Sequence, residues 1–98
     1  MRFGLFGGPS RGDDWGSDDQ TAYRGYTDSI VEAEQLGFDG LCMVEHHFTG
    51  RGQPSAALNI LNYLAARTAT IRLGTAVVVV PWHPTVACRT GCHPRCAL

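Results

Sequence analysis

The sequence lacks the features that mark membrane proteins, secreted proteins and nucleic-acid-binding proteins. It has no apolar run near the roughly 20 residues that a transmembrane helix requires. Its opening, residues 1–6, is too short and too interrupted by glycine for a secretory signal. Charged residues make up 17% of the chain, the net charge is −1, and no basic stripe is present. We therefore expect a cytoplasmic protein without a nucleic-acid or membrane partner.

Cysteine is scarce except at the end of the chain. Of the 4 cysteines, only Cys42 precedes residue 88, and it lies in an apolar run where we expect a small buried residue. The other three, Cys88, Cys92 and Cys96, crowd into residues 88–98. Their C-x3-C-x3-C spacing matches neither a zinc nor an iron–sulfur signature. We expect no metal site.

Hydrophobic patterning predicts that strands and helices alternate. Helical periodicity begins at residue 21, with Asp18 or Asp19 as the N-cap and Gly37 closing the helix. Pro54 is expected in the first turn of a second helix. Both faces of the third strand should be covered, because its valine run does not alternate with polar residues. The predicted strands are residues 2–7, 38–44 and 71–80.

Apolar strands that alternate with helices are typical of parallel βαβ units. The chain of 98 residues is long enough for one small domain at most. Three strands and two helices neither close a barrel nor complete a doubly wound sheet. The predicted class is α/β, and the pattern predicts the first part of a larger fold.

One polar cluster follows the second predicted strand. Glu45, His46 and His47 stand where an apolar run gives way to a loop. In parallel α/β folds functional groups collect at the carboxyl ends of strands, and residues 7–10 and 81–83 follow the other two strands. A carboxylate beside an imidazole suits proton transfer near neutral pH. The alternative is a solvated loop, and a shared metal is disfavoured because adjacent strand residues point to opposite faces.

The stretch "VEHHFTGRGQPSAALNILNYLAARTATIRLGTAVVVVPWHP" closely resembles the bacterial-luciferase-like, flavin-dependent monooxygenases. The opening "MRFGLFGG" and the stretch "SIVEAEQLGFDGLCMVEHH" fit the first βαβ unit of the same family. The resemblance covers residues 1 to about 87, and the pair EHHF and LGTAVVV makes it specific. It implies the N-terminal βαβαβ portion of a TIM (β/α)8 barrel that binds reduced flavin, usually FMN, at its strand ends.

The resemblance also implies roles for individual residues. His46 corresponds to the catalytic histidine that assists the reaction of reduced flavin with oxygen, and Glu45 and His47 would support it. The Ala76–Val77 bond stands where the family often has a non-prolyl cis peptide under the flavin ring. Small residues here allow close backbone approach, although simple strand packing would also explain them. The residues implied to contact the flavin are Gly74, Thr75, Ala76 and Val77.

Partners follow from the resemblance as well. It implies O2, a small organic substrate such as an aldehyde, and a flavin reductase that supplies reduced flavin, and it allows a homodimer or heterodimer. A deazaflavin-dependent oxidoreductase is the alternative, because these enzymes share the barrel and parts of the motif. The EHHF run favours the oxygen-using branch. A second alternative is a truncated product without catalytic activity. In such barrels the loops that bind the flavin phosphate follow late strands, whereas only the first three strands are predicted here.

The tail does not fit the family. Residues 1–87 form the expected partial domain, whereas residues 88–98 read "CRTGCHPRCAL" in place of a third helix. One permitted choice of codons, read from the second base, encodes "AEQAATLDVL", which is typical of the family. We therefore expect residues 88–98 to be an unstructured, out-of-frame tail on an N-terminal fragment, which the coding DNA would test.

Overall fold

The computed structural model describes residues 1–10, 18–49 and 54–83, which form a small parallel sheet with two helices. The strand order is β1-β2-β3, and both strand pairs are parallel. The predicted α/β class and the βαβαβ order are confirmed for this part of the chain. The elements in order are β1 Gly4–Gly7, α1 Asp19–Gln35, β2 Gly40–Met43, α2 Ala57–Arg67, β3 Arg72–Thr75 and a 3-10 helix Val80–Trp82.

The core lies between the sheet and the two helices. Leu5, Leu41 and Leu73 pair across the three strands, so their side chains share one face of the sheet. Leu41 and Leu73 are buried there, and Leu5 packs against the same cluster. Burial of each such side chain contributes about 1.5–3 kcal/mol. The buried cluster consists of Ile30, Leu41, Met43, Ala57, Leu61, Leu64, Ile71 and Leu73.

The other face of the sheet is open to solvent in the described residues. The next row across the strands is Phe6, Cys42 and Gly74. Phe6 is 74% exposed and Cys42 is also exposed. The prediction that Cys42 is buried is therefore wrong, because alternate residues of a strand point to opposite faces and both helices cover the leucine face.

The third strand is shorter than predicted. β3 ends at Thr75, and the Ala76 N–H donates the last sheet hydrogen bond to the Met43 carbonyl at 2.8 Å. Because β2 ends at Met43, it offers no backbone partner further on. Val77 and Val80 are 65% and 61% exposed. The prediction of a covered strand through residue 80 is wrong, and the chain turns into the 3-10 helix instead.

The residues at both ends of α1 have the roles that the sequence predicted for them. The Asp18 side chain accepts from the Gln20 N–H at 3.3 Å and is the N-cap, one of the two predicted. Gly37 has φ +87 directly after the helix, a conformation that favours glycine. The helix is also tied to the sheet, because the Glu34 carboxylate accepts from the backbone N–H groups of residues 69–71 at 2.5 to 3.1 Å.

The start of α2 differs from the prediction. α2 begins at Ala57, whereas Pro54 lies in the preceding loop and is buried. A Cβ at Gly8 would lie 2.7 Å from the Pro54 ring, so glycine permits this close approach of two strand-end loops. The Pro54 carbonyl also accepts from the His46 N–H at 3.2 Å. Pro54 therefore holds the loop after β2 rather than the first turn of the helix.

Neither α1 nor α2, the two α-helices in the described ranges, has the length and apolarity needed to cross a bilayer. The predicted aberrant tail, residues 88–98, lies outside the described residues.

Candidate functional site

A buried carboxylate joins the two loops that follow β2 and β3. The side chain of Glu45 has no exposed surface. Its Oε1 lies 2.6 Å from His47 Nε2, while His83 Nε2 lies 2.9 and 3.0 Å from the two carboxylate oxygens. The Val79 N–H donates to Oε2 at 3.3 Å. One side chain therefore contacts three groups, two of them more than 30 residues away in the chain.

The carboxylate of Glu45 stays ionised despite its burial. Burial alone raises the pKa of this carboxyl group, since it disfavours the charged form. The hydrogen bonds from His47, His83 and Val79 act in the opposite direction and hold the pKa below its ordinary value. At neutral pH the site therefore contains a buried negative charge between two imidazoles.

An aromatic cluster adds a second link between the same loops. The His47 ring stacks on Trp82 with centroids 5.3 Å apart, and Phe48 meets Trp82 edge-on at 5.6 Å. Phe48 has φ 58, which is uncommon for a bulky residue, and it is 92% exposed. Its ring thus stands on the surface beside the imidazole pair.

The structure separates the three predicted polar residues into two groups. Glu45 and His47 come together, whereas His46 is exposed and its ring makes no hydrogen bond to the described residues. His83, which the sequence placed at the same strand ends without assigning it a role, joins the cluster. The signal that could have identified it is the sequence Pro81-Trp82-His83, which follows the third strand and so returns to the same edge of the sheet.

The predicted flavin-contacting segment lies at the same edge. Gly74 and Thr75 end β3, and the bond Ala76–Val77 is a cis peptide, as the resemblance implied. Gly74, Thr75 and Ala76 are partly exposed and small. Contact of this segment with a flavin stays a prediction.

The sequence pattern and this strand-end geometry agree with a known family. The sequence model of the luciferase-like monooxygenases matches residues 1–91. The chain belongs to this family. The family generally uses reduced flavin, whose isoalloxazine ring is flat. The residues at the ends of the strands can therefore be compared with what such a ring requires.

Relatives share about a third or more of the aligned residues. The uncharacterized protein y4vJ of Sinorhizobium fredii is 38% identical over 58 residues, which are 59% of this chain and 16% of the relative. The 4-hydroxyprotoasukamycin monooxygenase of Streptomyces nodosus subsp. asukaensis is 42% identical over 50 residues, 51% of this chain and 14% of the enzyme. The uncharacterized protein YwcH of Bacillus subtilis is 33% identical over 66 residues, 67% and 20% of the two chains. The matched segment thus spans a fifth or less of each relative.

At the carboxyl-terminal edge of the sheet, the described residues suit the ring of a flavin better than its phosphate. Small, partly exposed residues at the end of β3 leave the backbone open to a flat ring. A phosphate needs cations or converging N–H groups. In the described ranges the four arginines lie on the helices or near the amino-terminal edge of the sheet: Arg2, Arg24, Arg67 and Arg72. The ring is thus the part of a flavin that the described residues suit.

Proposed function

We propose that this chain is the N-terminal part of a flavin-dependent monooxygenase that acts with O2 on a small organic substrate such as an aldehyde. The observation that carries the proposal is that Glu45, His46 and His47 follow β2 while the cis bond Ala76–Val77 follows the neighbouring β3, at one edge of the sheet. Reduced FMN, delivered by a flavin reductase, would supply the electrons for oxygen chemistry. Gly74, Thr75, Ala76 and Val77 would lie against its ring.

His46 is the proposed proton carrier. Its side chain is exposed, and among the described residues neither ring nitrogen has a hydrogen-bond partner. Its backbone is held at the same time, because the His46 N–H donates to Pro54 and both neighbouring residues are anchored. An imidazole on a fixed backbone can accept or donate a proton at the flavin without rearrangement of the loop.

A chimera tests this role. Residues 1–83 replace the matching segment of full-length 4-hydroxyprotoasukamycin monooxygenase, and product formation from O2 is measured with reduced FMN. We expect His46→Gln to lower the rate by about 100-fold or more, the usual scale of general acid–base catalysis. Asn62→Ala, at an exposed position of α2, is the control and should leave the rate unchanged.

A His46→Gln chimera as active as its parent would contradict the proposal. Reduced deazaflavin cofactor is supplied in a parallel reaction. Turnover with deazaflavin and none with FMN would replace the oxygen-using function with the deazaflavin-dependent oxidoreductase alternative.

The isolated chain should bind FMN poorly. The phosphate-binding loops of such barrels follow late strands, so we expect a dissociation constant above about 1 mM, or less than roughly 4 kcal/mol of binding free energy. Quenching of flavin fluorescence during titration with the 98-residue chain measures it. Stoichiometric binding at micromolar concentrations would show that these residues hold the whole cofactor.

A further inference from the structure

His83 shares the Glu45 carboxylate with His47, and neither imidazole is free to turn. The His47 and His83 side chains are 18% and 14% exposed, while that of Glu45 is 0% exposed. Within the described residues, every buried side-chain nitrogen and oxygen has a hydrogen-bond partner. A buried polar group that loses its partner destabilises the folded state. The pairing of both rings with one carboxylate is therefore strongly favoured.

The ionised carboxylate dictates which nitrogen of each ring carries the proton. A carboxylate only accepts hydrogen bonds, and a neutral imidazole has one donor nitrogen and one acceptor nitrogen. The nitrogen that faces Glu45 is Nε2 in both rings. Both rings must therefore donate through Nε2–H, which leaves Nδ1 of each as a proton acceptor.

We propose that Glu45 is a positioning residue that holds His47 and His83 in the same tautomer. His83 thereby presents its Nδ1 as an acceptor at the carboxyl-terminal edge of the sheet, in addition to Nδ1 of His47. The ligand group that suits such an atom is an O–H or N–H donor of a bound molecule. The tautomers follow from the contacts of both Nε2 atoms with an ionised carboxylate. Their use in oxygen chemistry rests on the proposed function.

Other contacts hold the rings in the same orientation. Stacking on Trp82 at an interplanar angle of 23° fixes the plane of His47. His83 directly follows the 3-10 helix Val80–Trp82, and its N–H donates to the Val80 carbonyl at 3.0 Å. The Val79 N–H on Oε2 limits rotation of the carboxylate. Replacement of the carboxylate should therefore change the protonated nitrogen rather than the ring position.

Nitrogen NMR of the histidine-labelled chain tests the proposal. Spectra are recorded at alkaline pH, well above the ordinary imidazole pKa of about 6.5. The spectra are taken in solution, or by magic-angle spinning on the precipitate when the chain associates. His47→Asn and His83→Asn assign the signals. We expect both rings to carry the proton on Nε2, and a dominant Nδ1–H form of either ring in the unmodified chain would overturn the proposal.

Glu45→Gln gives the sharper result. The Val79 N–H can only donate, so the amide oxygen takes the Oε2 position, and the amide NH2 group then faces His47 Nε2 at the Oε1 position. We expect one of the two rings to change to the Nδ1–H form. Asp39→Asn, the matched change before β2, should leave both rings as they are. Two rings unchanged in Glu45→Gln would contradict the positioning role.

A second measurement covers the case in which Glu45→Gln does not fold. In the His83→Asn chain, Glu45 still accepts from His47, so the His47 ring should keep its proton on Nε2. In the chimera, Glu45→Gln with a changed tautomer but unchanged turnover would remove only the use of these tautomers in the reaction. Both rings protonated on Nε2 in the unmodified chain, together with an active His46→Gln chimera, would remove only the proposed function.

Discussion

At each edge of the sheet one carboxylate contacts two basic side chains, which are arginines at one edge and histidines at the other. Asp39 precedes β2 and accepts from Arg2 Nε at 3.1 Å and from Arg72. Glu45 follows β2 and accepts from His47 and His83. At the amino-terminal edge the side chains are 31% to 67% exposed, whereas at the carboxyl-terminal edge they are 0% to 18% exposed. Each carboxylate thus ties β2 to its surroundings, one in water and one in the interior.

The two networks differ in whether the basic partners keep a constant charge or can change their protonation. Arginine stays protonated at all physiological pH values, so the Asp39 network has constant charge and is screened by solvent. Imidazole changes its protonation near neutral pH, and burial makes the Glu45 contacts depend on which atoms carry protons. The comparison teaches that one geometry gives a solvent-screened network of constant charge with arginine partners and a water-excluded network with imidazole partners.

The largest expected effect is the loss of the buried carboxylate. Glu45→Ala should lower the free energy of unfolding by about 3 kcal/mol, because two ring N–H groups and the Val79 N–H lose their acceptor. Asp39→Ala, the matched change at the other edge, should lower it by about 1 kcal/mol or less, as solvent replaces its partners. Urea unfolding followed by circular dichroism measures both. Equal losses would remove the distinction between the two edges.

A smaller effect should appear in acid. The backbone N–H groups of Ile71, Thr70 and Ala69 lower the pKa of Glu34 from 4.5 to about 2. Because the folded value is the lower one, the unfolded chain binds more protons between these values. This contribution is present above pH 4.5 and is lost as the pH falls towards 2.

Glu34→Gln should therefore flatten the acid limb of the stability curve over that range. Thermal melts from pH 5 to pH 2 measure it, with Glu32→Gln, an exposed position on the same helix, as the control. The size will be modest because Glu34 is only partly buried. An acid limb of unchanged slope in Glu34→Gln would show that the carboxylate does not hold this loop in solution.

The smallest effect concerns salt. The ion pairs of Asp39 with Arg2 and Arg72 are exposed, so 1 M NaCl, with a Debye length of about 3 Å, should screen them. We expect the difference in stability between the unmodified chain and Asp39→Asn to fall to within about 0.3 kcal/mol at high salt. The corresponding difference for Glu45→Gln should persist. If the stability difference between the unmodified chain and Glu45→Gln also vanished at high salt, the Glu45 carboxylate would have to be exposed to solvent.

Much of the fold could be predicted because it depends on neighbours in the chain. Apolar periodicity identified three strands and two helices, and the local chemistry of Asp18 and Gly37 marked the ends of α1. The cis bond Ala76–Val77 was expected from the family resemblance. The pairing of Glu45 with His47 could be expected for a similar reason, since the two residues are close in sequence.

The errors concern positions whose environment depends on distant parts of the chain. The exposure of Cys42 depends on which face of the sheet the helices cover, and alternation alone does not state that. The valine run looked like a buried strand, but β2 ends at Met43 and offers no partner beyond Thr75. His83 reaches Glu45 across 38 residues of sequence, a distance over which no local pattern operates.

By itself the sequence determined the class of fold, the order of its elements and the presence of an acid–imidazole cluster after β2. These follow from periodicity and from residues that are adjacent in the chain. Only the tertiary structure decided that Glu45 is buried, that His83 rather than His46 completes its contacts, and that one face of the sheet is left open by the residues the structure describes. The physical reason is that burial and long-range hydrogen bonds exist only once the strand ends meet, because parallel register brings the loops after β2 and β3 to the same edge.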